Sequence, residues 1–261
     1  MRLVVTRPEQ DAAPWVQGLC ERGHEATALP LIAIAPAPDP EPLRLAWQQL
    51  DQYQALMFVS GNAVAQFCAA QTPPSLASWS QRAPNTRAWA TGPGTRKALL
   101  KTGVAASQID APGVGQFDSE ALWHRVKNQV QVGETVLIVR GSDARAAAGP
   151  GVGRDWLAQT LQDAGVPVEF VVAYERRLPS CSPAQHEQLC RAASDGSVWL
   201  FSSSEAITNL QLLAPGQSWQ QARAVATHPR IAQAARAAGF GVVWESRASL
   251  DEVLASIEST A

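Results

Sequence analysis

Short apolar runs bounded by polar residues or glycine alternate along this chain with longer stretches of helical spacing, the pattern of repeated β-α units around a parallel sheet. The runs at 3–5, 55–59, 87–90, 135–139, 198–201, 222–226 and 242–244 predict strands. Between them, Ala12, Trp15, Val16 and Leu19 fall on one helical face, as do Trp156, Leu157, Leu161 and Ala164. Both helices are therefore expected to lie on a sheet. The segments that close on Gly23 and Gly165 end in a residue suited to a left-handed C-cap.

Two stretches, 30–36 and 166–174, are extended and lack a helix on one side; in the second, Val168, Phe170, Val172 and Tyr174 alternate along one face. They read as two crossings of a hinge, with the proline-bounded runs 36–42 and 179–183 as entry loops. One domain then comprises 1–34 and 175–261, the other 35–170, with connector strands at about 30–36 and 166–175. An internal repeat supports this partition. MFVSGNAV at 57–64 matches LFSSSEAI at 200–207, ATGPGTRKALLKTG at 90–103 matches ATHPRIAQAARAAG at 226–239, and VVTR at 4–7 answers LIVR at 137–140. Taken as three matches in one order, they predict a duplicated α/β domain.

Composition narrows the function classes. With 261 residues, 46% hydrophobic and 17% charged, the chain is neither disordered nor a charged tail, and its length favours two globular domains. The 21 basic and 23 acidic side chains supply no overall field for nucleic acid or an anionic membrane, so any anion site must be local. Cys20, Cys68, Cys181 and Cys190 form no CxxC pair and no metal-like spacing with the four histidines; they predict reduced thiols and a cytoplasmic setting. No apolar window reaches the roughly 18 residues of a membrane span, so the chain is expected to be neither membrane-spanning nor exported. The nine tryptophans are expected to fill core.

In open parallel sheets, ligands bind beyond the carboxyl ends of the strands. Here those ends read Thr6-Arg7, Ser60-Gly61, Thr91-Gly92, Arg140-Gly141, Ser203-Ser204 and Thr227-His228. Helix N-capping, at about 1 kcal/mol per hydroxyl, accounts for Ser60, Ser203 and Thr91 without any ligand. It does not account for Arg7 and Arg140, whose planar guanidinium forks suit carboxylate or phosphate. GPGVG at 149–153 is not a dinucleotide fingerprint, and GPGT at 92–95 lacks the Walker lysine. No HExxH, paired-histidine helix, carboxylate cluster or GxSxG occurs, so no metal site is expected. An anion-binding cleft with few acid-base groups remains. Tyr174, expected to face the gap between domains, either donates to a leaving hydroxyl or only packs. His228 at a helix start either contacts ligand or caps the helix. His24, His124 and His186 carry no matching signal.

The opening TRPEQDAAPWVQGLCERGHEATALPLIAI resembles that of uroporphyrinogen-III synthases, as do FVSGNAV at 58–64, GPGT at 92–95, FDSEALW at 117–123, VRG at 139–141, VVAYERR at 171–177 and THPRIAQAARAAGFGVV at 227–243. The resemblance implies two flavodoxin-like α/β domains joined by a two-stranded connector with a cleft between them. It implies cofactor-free and metal-free closure of the linear tetrapyrrole hydroxymethylbilane into uroporphyrinogen III, with loss of water and inversion of ring D through a spiro intermediate, in haem biosynthesis. The substrate's eight carboxylates suit a cleft lined by hydroxyls, helix N-termini and arginines, each contributing about 0.3–1 kcal/mol. Carried onto matching positions, the family's connector tyrosine is Tyr174, the expected catalytic residue. Ser60, Gly92 and Thr95 are expected carboxylate binders, beside Arg7, Arg140, Gly141, Ser203, Thr227, His228 and Arg230. A cytoplasmic monomer is implied, receiving substrate from hydroxymethylbilane synthase.

Three departures stand out: Arg230 and Ile231 where the late turn often has threonines, a longer segment over 142–153, and Val59 in place of a frequent threonine. A non-catalytic two-domain receptor for tetrapyrroles or polycarboxylates is the rival reading. It is disfavoured because a receptor is expected to carry an export signal or an output domain.

Overall fold

The computed structural model describes residues 1–71, 79–113, 119–143 and 154–259. The chain divides into two compact units, Met1–Ala33 with Arg177–Ala261, and Ile34–Arg176. The first unit opens with β1 (Arg2–Val5), α1 (Glu9–Glu21) and β2 (Glu25–Ala28). There follow β3 (Ala33–Pro36), α2 (Glu41–Gln48), β4 (Ala55–Phe58), α3 (Gly61–Ala69), α4 (Trp79–Arg82), β5 (Arg87–Ala90), α5 (Pro93–Lys101) and β6 (Ile109–Asp110). The second unit continues with α6 (Ser119–Val126), β7 (Val136–Asp143), α7 (Arg154–Asp163) and β8 (Val168–Arg177). The first is completed by α8 (Pro183–Ala192), β9 (Val198–Phe201), α9 (Ser204–Leu213), β10 (Arg223–Ala226), α10 (Pro229–Ala237), β11 (Val242–Glu245) and α11 (Leu250–Glu258).

The first unit's sheet runs β11-β10-β9-β1-β2, with every pair parallel. The second runs β3-β8-β7-β4-β5-β6, parallel from β8 to β6. Read from β2 and from β8, the two sheets share one strand order, the flavodoxin-like arrangement. β1 answers β7, β9 answers β4 and β10 answers β5, and all three sequence matches fall on these equivalent strands. Along the chain the matches keep one order, 4–7, 57–64 and 90–103 against 137–140, 200–207 and 226–239, as expected; the units divide the chain at Ala33/Ile34 and Arg176/Arg177, so each sheet takes strands from both copies. The second unit is a circularly permuted copy of the first.

Local chemistry explains which strands the pattern reveals. β4 and β9 are buried at every residue, as helices on both faces of a parallel sheet require. β2 (EATA) and β6 (ID) lie at sheet edges; β2 is part-exposed with polar residues, and β6 is two buried residues long, one of them an aspartate, so neither gives a strand signal. Arg87 anchors β6 through two bonds to Asp110, from Nε at 2.8 Å and Nη2 at 2.9 Å. On α1, Ala12 and Leu19 are buried with Trp15 and Val16 packed beside them, as expected. On α7 the buried seam is Leu157, Ala158 and Leu161, and Trp156 points out at 41% exposure. Trp156 lies about a quarter-turn from Leu157, off the flank of the seam away from Ala158. Gly23 and Gly165 take the left-handed conformation, at φ 83° and 77°.

Each unit holds an aromatic cluster around an equivalent phenylalanine. Phe58 on β4 packs with Phe67 and Trp79; Phe201 on β9 packs with Trp199 and Phe240. Tyr53 closes the second unit's core, its hydroxyl donating to Glu169 Oε2 at 3.2 Å. Burial first, and the adjacent carboxylate second, push this phenol up to about 12 from an ordinary 10. The folded state thus holds the proton more tightly than the unfolded chain. The resulting stability is complete below pH 10 and lost as pH rises through about 12. Alkaline unfolding is expected to lose this dependence in Tyr53→Phe; an identical pH profile for the two proteins would refute it.

Candidate functional site

In the second unit the expected residues gather at the carboxyl ends of neighbouring strands. After β4, Ser60 is extended and caps α3, its Oγ accepting from the Ala63 N–H at 3.2 Å. After β5, Gly92 precedes α5 with Pro93 at the first helical position and no side chain to cap the helix. Thr95 is buried in the first turn. Thr91 is not a cap: its hydroxyl donates to the Val59 carbonyl at 3.2 Å and ties the two strand ends together.

β7 does not stop at residue 139. It runs on to Asp143, so Arg140 and Gly141 lie within the strand rather than in a loop after it. The Arg140 guanidinium carbon stands 4.5 Å from the centre of the Phe170 ring on β8. The sequence reading also misplaces Tyr174. Pairing of β7 with β8 is one-for-one up to Arg140 opposite Val172, and then Gly141 faces Tyr174, with Ala173 passed over. This bulge breaks the alternation. Tyr174 leaves the face of Phe170, which is 41% exposed, and joins Val171 and Ala173 in the core at 4% exposure. Its ring lies across Gly141, and its hydroxyl oxygen is 3.1 Å from Ser60 Oγ.

The hydrogen-bond inventory of this pair is informative. A serine hydroxyl has two acceptor sites and one proton, and the Ala63 N–H takes one of the sites. If Tyr174 donates into the other, the Ser60 proton is left for a ligand. Ser60 is half-buried where Tyr174 is buried, so that arrangement aims the free donor outward. This adjacency of Ser60 and Tyr174, 114 residues apart, has no signal in the sequence.

The first unit brings its own set to the ends of β1, β9 and β10. Thr6 donates to the Leu200 carbonyl at 2.7 Å and locks β1 to β9. Arg7 follows, its guanidinium carbon 4.2 Å above the Trp15 ring on α1. Burial lowers its pKa, with Asp11 opposing, yet a guanidinium stays charged near neutrality. Ser203 caps α9 by accepting from the Glu205 N–H at 3.2 Å. His228 caps α10, its Nδ1 accepting from the Arg230 N–H at 3.1 Å. Thr227 donates its N–H to the Phe201 carbonyl at 3.1 Å, and Arg230 is exposed in the first turn of α10.

The segment 144–153, with GPGVG, and Phe117-Asp118 of the FDSEALW motif lie outside the described residues. Among the described residues no group of three or more His, Cys, Asp or Glu is arranged to hold a metal ion, and no helix is long and apolar enough to cross a membrane.

The fold has solved counterparts. Uroporphyrinogen-III synthetase from Helicobacter pylori 26695 superposes with a TM-score of 0.60 at 16% identity, over 100% of both chains. A mutant uroporphyrinogen III synthase from the extremely thermophilic bacterium Thermus thermophilus gives 0.55 at 16% identity, over 99% of this chain and 98% of that one. A uroporphyrinogen-III synthase of Chlorobaculum parvum is 31% identical over 144 residues, 54% of this chain and 53% of that protein, so the chain matches about half the length of this curated relative. The family model described as uroporphyrinogen-III synthase HemD matches residues 13–255. With nearly the whole chain covered by that match, the protein belongs to the uroporphyrinogen-III synthase family.

Proposed function

We propose that this protein closes hydroxymethylbilane to uroporphyrinogen III, expelling water and inverting ring D. The observation that carries the reading is the Ser60–Tyr174 pair, set at the carboxyl edge of a parallel sheet in a chain of this family. The Tyr174 phenol donates to Ser60 Oγ, and the Ser60 proton passes to the departing hydroxyl. The carbon–oxygen bond breaks with its electrons on oxygen, water leaves, and the pyrrole nitrogen lone pair stabilises the cation. The carbon that then attacks loses a proton, which restores the pair. Such general-acid help is worth about 10²–10⁴-fold. The pyrrole is electron-rich, so the protein's larger task is holding the chain in the shape that inverts ring D before direct closure.

Carboxylate anchoring falls to the remaining residues: Arg140, Gly92 and Thr95 in the second unit, and Arg7, Ser203, Thr227, His228 and Arg230 in the first. Stacking on Trp15 and Phe170 holds Arg7 and Arg140 by their faces, and the in-plane N–H groups of a stacked guanidinium can still address a carboxylate. Arg230 puts a cation on the positive end of α10, which costs about 0.3–1 kcal/mol; a bound anion offsets that cost. Four free thiols fit a reducing cytoplasm. We also read the protein as a monomer supplied by hydroxymethylbilane synthase. Incubation with freshly generated hydroxymethylbilane tests the activity. Enzymatic formation of the type III isomer is expected; type I product alone, at the spontaneous rate, would end the reading, and product binding without turnover would point to a receptor.

A further inference from the structure

We propose that Gly141 is a positioning residue whose missing side chain seats the Tyr174 ring so that its hydroxyl meets Ser60; its effect on rate rests on the function proposed above. Three observations carry it. The bulge between Arg140 and Gly141 turns Tyr174 onto the core face of β8. A Cβ at position 141 would lie 2.4 Å from Tyr174 Cζ, 2.5 Å from Cε2 and 2.9 Å from Cε1, so the hydroxyl-bearing end of the ring occupies the space of the absent side chain. Nor does the backbone ask for glycine here, since Gly141 is not among the residues with positive φ. The requirement comes from the ring alone.

The consequence is geometric. Ordinary contact with a Cβ begins near 3.4 Å, so a methyl group at 141 must push the outer end of the ring by about 1 Å. Tyr174 is buried and stiff, and the push is transmitted to its oxygen, taking the 3.1 Å approach to Ser60 out of hydrogen-bond range. A displacement of that size at a reacting group costs about 10²-fold in rate.

Gly141→Ala tests this. The chain has two tyrosines, Tyr53 and Tyr174, so tyrosine labelled at Cζ alone gives two carbon resonances, and Tyr174→Phe assigns them. In Gly141→Ala the Tyr174 resonance is expected to move while that of Tyr53 stays. The kcat is expected to fall about 10²-fold with little change in KM. In the Tyr174→Phe background the same substitution is expected to cost almost no further rate. Should Gly141→Ala fold poorly, Gly141→Ala with Tyr174→Leu separates ring from strand: without the ring, Tm is expected to recover to that of Tyr174→Leu alone. An unmoved Tyr174 resonance, or a Tm loss that persists without the ring, overturns the assignment. The resonance and Tm arms need no turnover, so they decide the positioning claim even if wild-type protein forms no type III product.

Discussion

Tyr174→Phe is expected to slow formation of the type III macrocycle by about 10²–10⁴-fold while leaving the fold intact. The substitution keeps the ring that packs across Gly141 and among Val171 and Ala173; it removes one oxygen. Ser60 keeps the Ala63 N–H on its hydroxyl, so the cap of α3 survives, and one lost hydrogen bond weakens the fold by only about 1 kcal/mol. Activity and stability should therefore separate, as they do when a removed group acts mainly on the reaction. Ser60→Ala is expected to lose rate to a similar degree but also to destabilise α3 by about 1 kcal/mol through the missing cap. Because the two hydroxyls act as one unit, the double variant should be no slower than the worse single one. Initial rates of isomer formation, with a thermal melt of each variant, check all three statements. A wild-type rate in Tyr174→Phe would reduce the phenol to core packing.

Much of the architecture was legible because parallel strands covered on both faces are apolar at every position, as in β4, β9 and the first four residues of β7. The repeat was legible too, and so was the shared order of its three matches; short matches alone say which strands correspond, not which of them share a sheet. Edge strand β2 escaped because its part-exposed positions carry polar residues, and β6 because it is only two residues long and one of them is a buried aspartate held by Arg87. At the site, the alternation of Val168, Phe170, Val172 and Tyr174 pointed Tyr174 to the wrong face, since a bulge is a property of two paired strands and leaves no mark in one. Gly141 was read as a ligand contact for a related reason: the sequence shows a glycine near a strand end, and only the fold shows the ring resting on it. Arg7 and Arg140 looked free because their partners, Trp15 and Phe170, come from other elements. The hydroxyl caps at Ser60 and Ser203 were readable because capping is local.

Gly241→Ala is expected to destabilise the first unit by about 2–4 kcal/mol, the largest stability effect of any single added methyl group foreseen here. A Cβ at 241 would lie 1.9 Å from the Gln220 carbonyl oxygen and 3.0 Å from its carbon. That obstacle is backbone, which cannot swing aside as the end of a long side chain does. The two segments are also bound to each other, since the Gly241 N–H donates to the Trp219 carbonyl at 3.3 Å and the Val242 N–H to that of Ala222 at 3.4 Å. Forcing them apart pulls on the residues next to each: Trp219 and Phe240 stack at 5.4 Å, and both pack edge-on against Trp199. The strain therefore enters the aromatic core instead of dissipating at the surface. Gly94→Ala is the matched control, because no atom lies within 4 Å of its added Cβ and alanine favours a helix over glycine by about 0.5–1 kcal/mol. Urea unfolding followed by tryptophan fluorescence should show a lower midpoint for Gly241→Ala and an unchanged or higher one for Gly94→Ala. Equal midpoints for Gly241→Ala and wild type would mean that the turn carrying Gln220 yields at no cost, and the glycine in the motif GFGVV would then need a reason other than this close approach of two backbones.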